Sequence, residues 1–173
     1  MHAPGGTVRR ARSAPSIRGP IAIAIVSVIA ACGSSTPAIG EAFATSARAV
    51  CQHALDLKRA EGPFPIPSFN PTRPDPAKLA DVAVFLRKTD ATFSTWLSEM
   101  QALGTPPAGE SSWNDLVTAV GRHRDLNRDQ ISAAERGDTV TFAADYQAGI
   151  ETQAQLLAAA TAAGVPDCAK VDR

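Results

Sequence analysis

From Leu79 onward the side chains that recur at alternating intervals of three and four are Leu79, Val82, Leu86, Thr89, Phe93, Trp96, Met100 and Leu103, and the run stops at Gly104. That spacing closes on one face of a helix with 3.6 residues per turn and never on one face of a strand, so the chain is constrained here to an amphipathic helix. Asp75 followed by Pro76 supplies the start, an N-cap and a residue whose fixed φ suits the first helical turn. The same spacing recurs on either side of this segment. Phe43, Ala47, Val50, Ala54 and Leu57 mark a first helix that should end near Glu61, Gly62 and Pro63. A third, opened by a capping-box-like Ser112 and Asp115, runs through Leu116, Val120, His123, Asn127, Ile131 and Ala134 to Gly137. A fourth, capped by Asp138, carries Val140, Ala143, Tyr146, Ile150, Ala154, Leu157 and Thr161 before Gly164 and Pro166 end it.

Composition agrees. The chain is 45% hydrophobic but only 5% aromatic, with alanine making up much of the apolar count, which suits closely packed helices. The expected fold is all-α: an up-down four-helix bundle, with residues 41–173 as one domain. Its connections are short except between helices one and two. There, six prolines (63, 65, 67, 71, 74 and 76) impose an extended loop interleaved with Phe64, Ile66 and Phe69. Two readings of this loop stand side by side: a lid that lays its aromatics over the end of the bundle, or a contact surface for a partner formed by Phe64, Ile66 and Phe69.

The N-terminus reads differently. Arg9, Arg10, Arg12 and Arg18 precede an eleven-residue weakly polar-to-apolar run from Ile21 to Ala31, about half the roughly 20 residues a helix needs to cross a bilayer. This is the pattern of a secretory signal, residues 1–31, that targets without spanning. Ile29, Ala30, Ala31 and Cys32 resemble the bacterial lipobox. The resemblance implies diacylglycerol transfer to the Cys32 thiol, cleavage between Ala31 and Cys32, and a lipidated tether over residues 32–40. The competing expectation is cleavage after Ala44, at the pattern Ala42-Phe43-Ala44, giving a freely secreted domain. Three cysteines in an exported chain leave one unpaired. If the lipid takes Cys32, Cys51 and Cys168 remain as a disulfide that closes the bundle.

With its lipobox, its Ser/Thr/Pro tether, a cysteine in the first helix and Gly164-Val165-Pro166-Asp167-Cys168 after the last, the chain resembles the small helical lipoproteins of actinobacteria. That resemblance implies a place at the cell membrane, lipid-anchored and facing outside the cytoplasm. It implies no activity.

The chemistry-bearing residues are sparse. Without residues 1–31, which hold four basic and no acidic residues, 13 basic groups face 17 acidic ones, a net charge of −4. Such a domain offers no electrostatic footprint for nucleic acid. No Gly-x-Ser-x-Gly elbow, phosphate loop, Cys-x-x-Cys pair or Glu-x-x-His pair is present, so neither an enzyme nor a metal or other cofactor is expected. His53 falls off the apolar stripe of its helix. His123, beside Asn127 on the seam of helix three, can be read as a boundary residue or as part of a polar pocket inside the bundle. Arg122, Arg124, Asp125, Arg128 and Asp129 around it read as a solvated face of i,i+4 pairs. The functional expectation is a membrane-anchored, non-enzymatic binding or interaction module of the envelope, its partner an envelope protein. The alternative is a carrier of an apolar or lipid ligand in the bundle core.

Overall fold

A computed structural model of the chain describes residues 38–171, so the expected signal segment, Ala31 and the expected lipidation position Cys32 lie outside the described residues. Four helices follow in order: α1 (Glu41–Ala60), α2 (Leu79–Ala102), α3 (Glu110–Glu135) and α4 (Thr139–Ala163), with 3-10 turns at Pro76–Lys78 and Pro166–Lys170. No strand occurs among the described residues.

Side-chain pairs between neighbours fix the directions. His53 meets Glu99 and Lys58 meets Thr89, so α1 and α2 run antiparallel. Arg128 meets Asp90 and Arg87 meets Glu135, which sets α2 against α3 in the same sense. Arg122 with Gln155 and His123 with Thr152 do so for α3 and α4. The result is the expected up-down bundle. Cys51 and Cys168 are bonded with their Cα atoms 5.0 Å apart, tying the first helix to the turn after the last.

The interior is divided along the bundle axis. At the disulfide end a large core gathers Trp96, Met100, Trp113, Leu116, Leu156 and the disulfide itself, all fully or almost fully buried. Ile39, expected in the flexible tether, is 0% exposed and packs into this core. The chain is therefore held from residue 38 onward. The hold is tight: Gly109 has φ +65°, and a Cβ there would come within 2.4 Å of the Ala38 carbonyl oxygen. At the loop end a smaller core joins Leu79, Val82, Ala83, Ala133, Ala134 and Phe142, with Phe64, Ile66, Phe69 and Leu86 packed on it.

Three sequence expectations change. Helix three starts at Glu110, two residues before Ser112, and its N-cap is Gly109 with no side-chain cap bond. Close approach to residue 38 demands a glycine at the cap, and Glu110 complements the helix dipole in the first turn instead. In α4 the buried side chains are Phe142, Thr152, Leu156, Ala160 and Ala163, whereas Val140, Ile150 and Leu157 of the expected stripe are 79%, 48% and 39% exposed. This helix is apolar nearly all round, so its sequence carries two competing stripes roughly half a turn apart. Packing within the bundle selects the one with Phe142, Leu156, Ala160 and Ala163. Of the charged residues of α3, Arg124 pairs within the helix, with its neighbour Asp125 at 2.7 Å, but Arg122 and Arg128 reach across to other helices. Arg128 bonds Asp90 (2.8 Å) and Ser94 (3.2 Å) of α2, and Arg122 bonds Gln155 of α4 (2.9 Å).

Candidate functional site

Between the two cores lies a layer of polar side chains. Thr89, Thr92, Asn127 and Thr152 are each 5–6% exposed and all sit at this level. Thr89 and Thr92 occupy core positions of α2 where a bundle ordinarily places aliphatic residues. Their hydroxyls donate to Glu61 at 2.8 and 2.6 Å. Glu61 follows the last residue of α1, and its side chain is only 5% exposed; the Lys58 ammonium donates to the same carboxylate at 2.9 Å and to the Thr89 hydroxyl at 3.1 Å. A buried carboxylate is costly unless it is paired and hydrogen-bonded, and this one has one cation and two hydroxyls. Lys58 also stands 5.6 Å from the centroid of the Phe85 ring. Across the layer, the Asn127 amide donates to the Leu86 carbonyl at 3.1 Å. The His123 ring lies edge-on to Phe93 at 5.1 Å and shares a 3.3 Å hydrogen bond with Thr152.

At 20 residues α1 is shorter than the other three helices, at 24 to 26. It ends at this layer. The missing turns leave a cleft of about 290 Å³ between the end of α1 and the other three helices, lined by Lys58, Phe85, Thr89, His123, Asn127, Gln130, Tyr146 and Gln153 among others. The volume is at the lower end of the range for small-molecule pockets, and the lining mixes aromatic walls with several polar groups, as such pockets do.

The proline loop occupies the space beyond the end of α1. Phe64, Ile66 and Phe69, the residues singled out as a contact surface, are each partly buried and turned onto the bundle. Phe64 meets Phe85 of α2 edge-on at 5.1 Å and Phe69 at 5.6 Å, and Phe69 meets Phe142 of α4 edge-on at 5.7 Å. These four rings form a ladder from α2 to α4, with spacings typical of favourable aromatic pairs. The loop holds its own shape. Asn70 Oδ1 accepts from the Thr72 amide and hydroxyl, and the Phe69 amide donates to the Ile66 carbonyl. Under the ladder a second cavity, also about 290 Å³, is lined by Phe64, Phe69, Pro71, Val82, Leu86, Gln130, Phe142 and Tyr146.

His53 is exposed and pairs with Glu99 at 2.9 Å, away from the cleft. No cluster of potential metal ligands occurs among the described residues, and none of their helices is long and apolar enough to cross a membrane. One carboxyl near the cleft is unusual. Asp145 Oδ2 is buried without a hydrogen-bond partner, and burial first, then the charges of Asp129 and Asp138, raise its pKa above the ordinary aspartate value.

Of the residues marked in the sequence, His123 and Asn127 enter the site together and Phe64 and Phe69 line the neighbouring cavity. Lys58, Glu61, Gln130, Tyr146 and Gln153 were not singled out. A signal was present in Thr89, a polar residue on an otherwise apolar seam, facing the polar pair of the next helix. Comparison with known protein families, with curated proteins and with solved structures finds no match to this chain.

Proposed function

We propose that the protein is a lipid-anchored, non-enzymatic binding protein of the bacterial envelope that holds a small organic ligand in the cleft between its helices. The cleft is the observation that carries the reading. Two threonines, an asparagine and a paired glutamate occupy interior positions where aliphatic residues would pack the bundle more simply, and the space beside them is left unfilled. Buried polar groups cost stability unless satisfied, and an interior polar layer beside an open cavity suits ligand recognition better than stability. The Cys51–Cys168 bond supports an oxidising, extracytoplasmic location. The lipobox motif at Ile29 to Cys32 supports anchoring through the Cys32 thiol. The inward turn of Phe64, Ile66 and Phe69 favours the cleft over the loop as the point of contact.

The test is the mass of the mature protein purified from an actinobacterial host, recorded denatured and native. A denatured mass equal to residues 32–173 plus acyl groups, less two hydrogens, supports anchor and disulfide. Extra native mass that disappears in Gly149→Leu, which fills the cleft, supports the ligand. A mass starting at Thr45 without lipid refutes the anchor, and a native-minus-denatured mass difference that is the same with and without the substitution refutes the cleft.

A further inference from the structure

The two cavities are neighbours: Leu86, Gln130 and Tyr146 line both. Their remaining walls differ in kind. The first sets Lys58, Thr89, His123 and Asn127 among Phe85, Phe93 and Ile150, whereas the second is walled by Phe64, Phe69, Pro71, Val82 and Phe142. From this juxtaposition we infer that the ligand is amphipathic, a single-chain lipid with an uncharged hydrogen-bonding head in the polar layer and an apolar chain under the aromatic ladder. The inference rests on the reading of the cleft as a ligand site and adds the chemical class.

The head is uncharged because the formal charges at the cleft are already matched. The Lys58 ammonium is committed to Glu61 and Thr89, and the Glu61 carboxylate accepts from Lys58, Thr89 and Thr92. An anionic head would have to draw Lys58 away from a carboxylate that is itself almost wholly buried, and a cationic head would compete with Lys58 for it. Hydroxyl or ester groups instead find the amide of Gln130 and the phenol of Tyr146, at the edge the two cavities share. The chain compartment has no such partners except at the shared edge. An apolar chain laid in this open cleft would remove its aromatic and aliphatic walls from water. Three rings of the ladder, Phe64, Phe69 and Phe142, line it, so the loop forms one wall of the chain compartment.

The experiment is calorimetric titration of the full mature domain with monoacylglycerols of eight, ten and twelve carbons, below their micellar concentrations, beside laurate and free glycerol. Burial of each methylene, at about 0.8 kcal/mol, tightens binding about fourfold per carbon until the compartment is full. The expected result is that slope, with laurate at least tenfold weaker than monolauroylglycerol and glycerol alone not detected. Gly149→Leu, which removes no side-chain contact and places a side chain in the head compartment, should abolish binding. Phe69→Ala, which opens that wall, should flatten the slope. The wild-type series decides the matter even where Phe69→Ala fails to fold. Affinity independent of chain length, laurate binding as tightly as the glyceride, or no binding by any member overturns the amphipathic ligand. A flat series that Gly149→Leu still abolishes overturns the chain compartment alone and leaves the cleft reading standing. Extra native mass that persists unchanged in Gly149→Leu strikes the cleft reading itself.

Discussion

The disulfide half and the loop half of this bundle are built from the same four helices and pack to different ends. In the disulfide half, Trp96, Met100, Leu116, Leu156 and Cys168 are each 0% exposed, and Ile39 is drawn in from before the first helix to complete the core. In the loop half, α1 has already ended, leaving a cleft of about 290 Å³, and the proline loop lines a second cleft of the same size beside it. A close-packed core leaves no voids larger than a water molecule or so, because empty space forfeits dispersion contacts. Both halves have such a core, but the one at the loop end is smaller and is flanked by two open clefts. The larger core and the cross-link are therefore expected to carry more of the stability, and the clefts leave room to hold something.

Four perturbations sharpen or break this contrast. The largest effect is expected from replacing both cysteines by serine. A cross-link of 117 residues' separation constrains the unfolded chain by about 4 to 5 kcal/mol on the loop-entropy model, and native disulfides typically contribute about 2 to 5 kcal/mol. Urea unfolding of the double variant should show a loss in that range, and an unchanged midpoint would mean the disulfide half does not carry the stability. Next comes Gly109→Ala. Its Cβ would meet the Ala38 carbonyl at 2.4 Å from a backbone at φ +65°, so a loss of about 2 kcal/mol is expected by the same measurement. A silent substitution would show that residues 38–40 are not locked to the loop before α3.

In the open half the same kind of change should reverse sign. Gly149 lies inside α4 without a positive φ, and its added Cβ would meet only Gln130 Nε2, at an ordinary 3.7 Å. Gly149→Ala should therefore stabilise by about 0.5 to 1 kcal/mol through helix propensity. A destabilised variant would reveal packing in the cleft tighter than its volume implies.

The smallest effect is set by Asp145. Burial raises its folded pKa above the unfolded value, so the folded state binds this proton more tightly. The sign follows: its neutral form is accommodated below the ordinary aspartate range, and stability is lost as pH rises from there through the raised folded value. Asp145→Asn should raise the melting temperature at pH 7 and leave it unchanged near pH 3. Asp138, the N-cap of α4, works the other way. Hydrogen bonds from Thr141 lower its pKa, so its contribution is present above the ordinary value and lost as pH falls through the depressed one. An Asp145→Asn melting difference that persists at pH 3 would assign the effect to packing and not to charge.

The sequence by itself determined the helices, because a seam of apolar residues every three or four positions has one physical solution, and glycine and proline end each segment for local reasons. Cysteine parity pointed to the pairing of Cys51 with Cys168 once Cys32 was set aside for the lipid, and that bond is present. The face of α4 was not determined: a helix apolar nearly all round can bury either side, and that choice belongs to the packed bundle. Nor was the site. Thr89, Asn127 and Thr152 are ordinary polar interruptions when read one helix at a time. They become a layer only when antiparallel packing brings them to the same level, with Lys58 and Glu61 delivered there by the early end of α1. The loop wall required more still, since Phe64 and Phe69 could equally have faced solvent. Edge-on contacts to Phe85 and Phe142 turn them inward, and those partners lie on two helices separated from the loop by different lengths of chain.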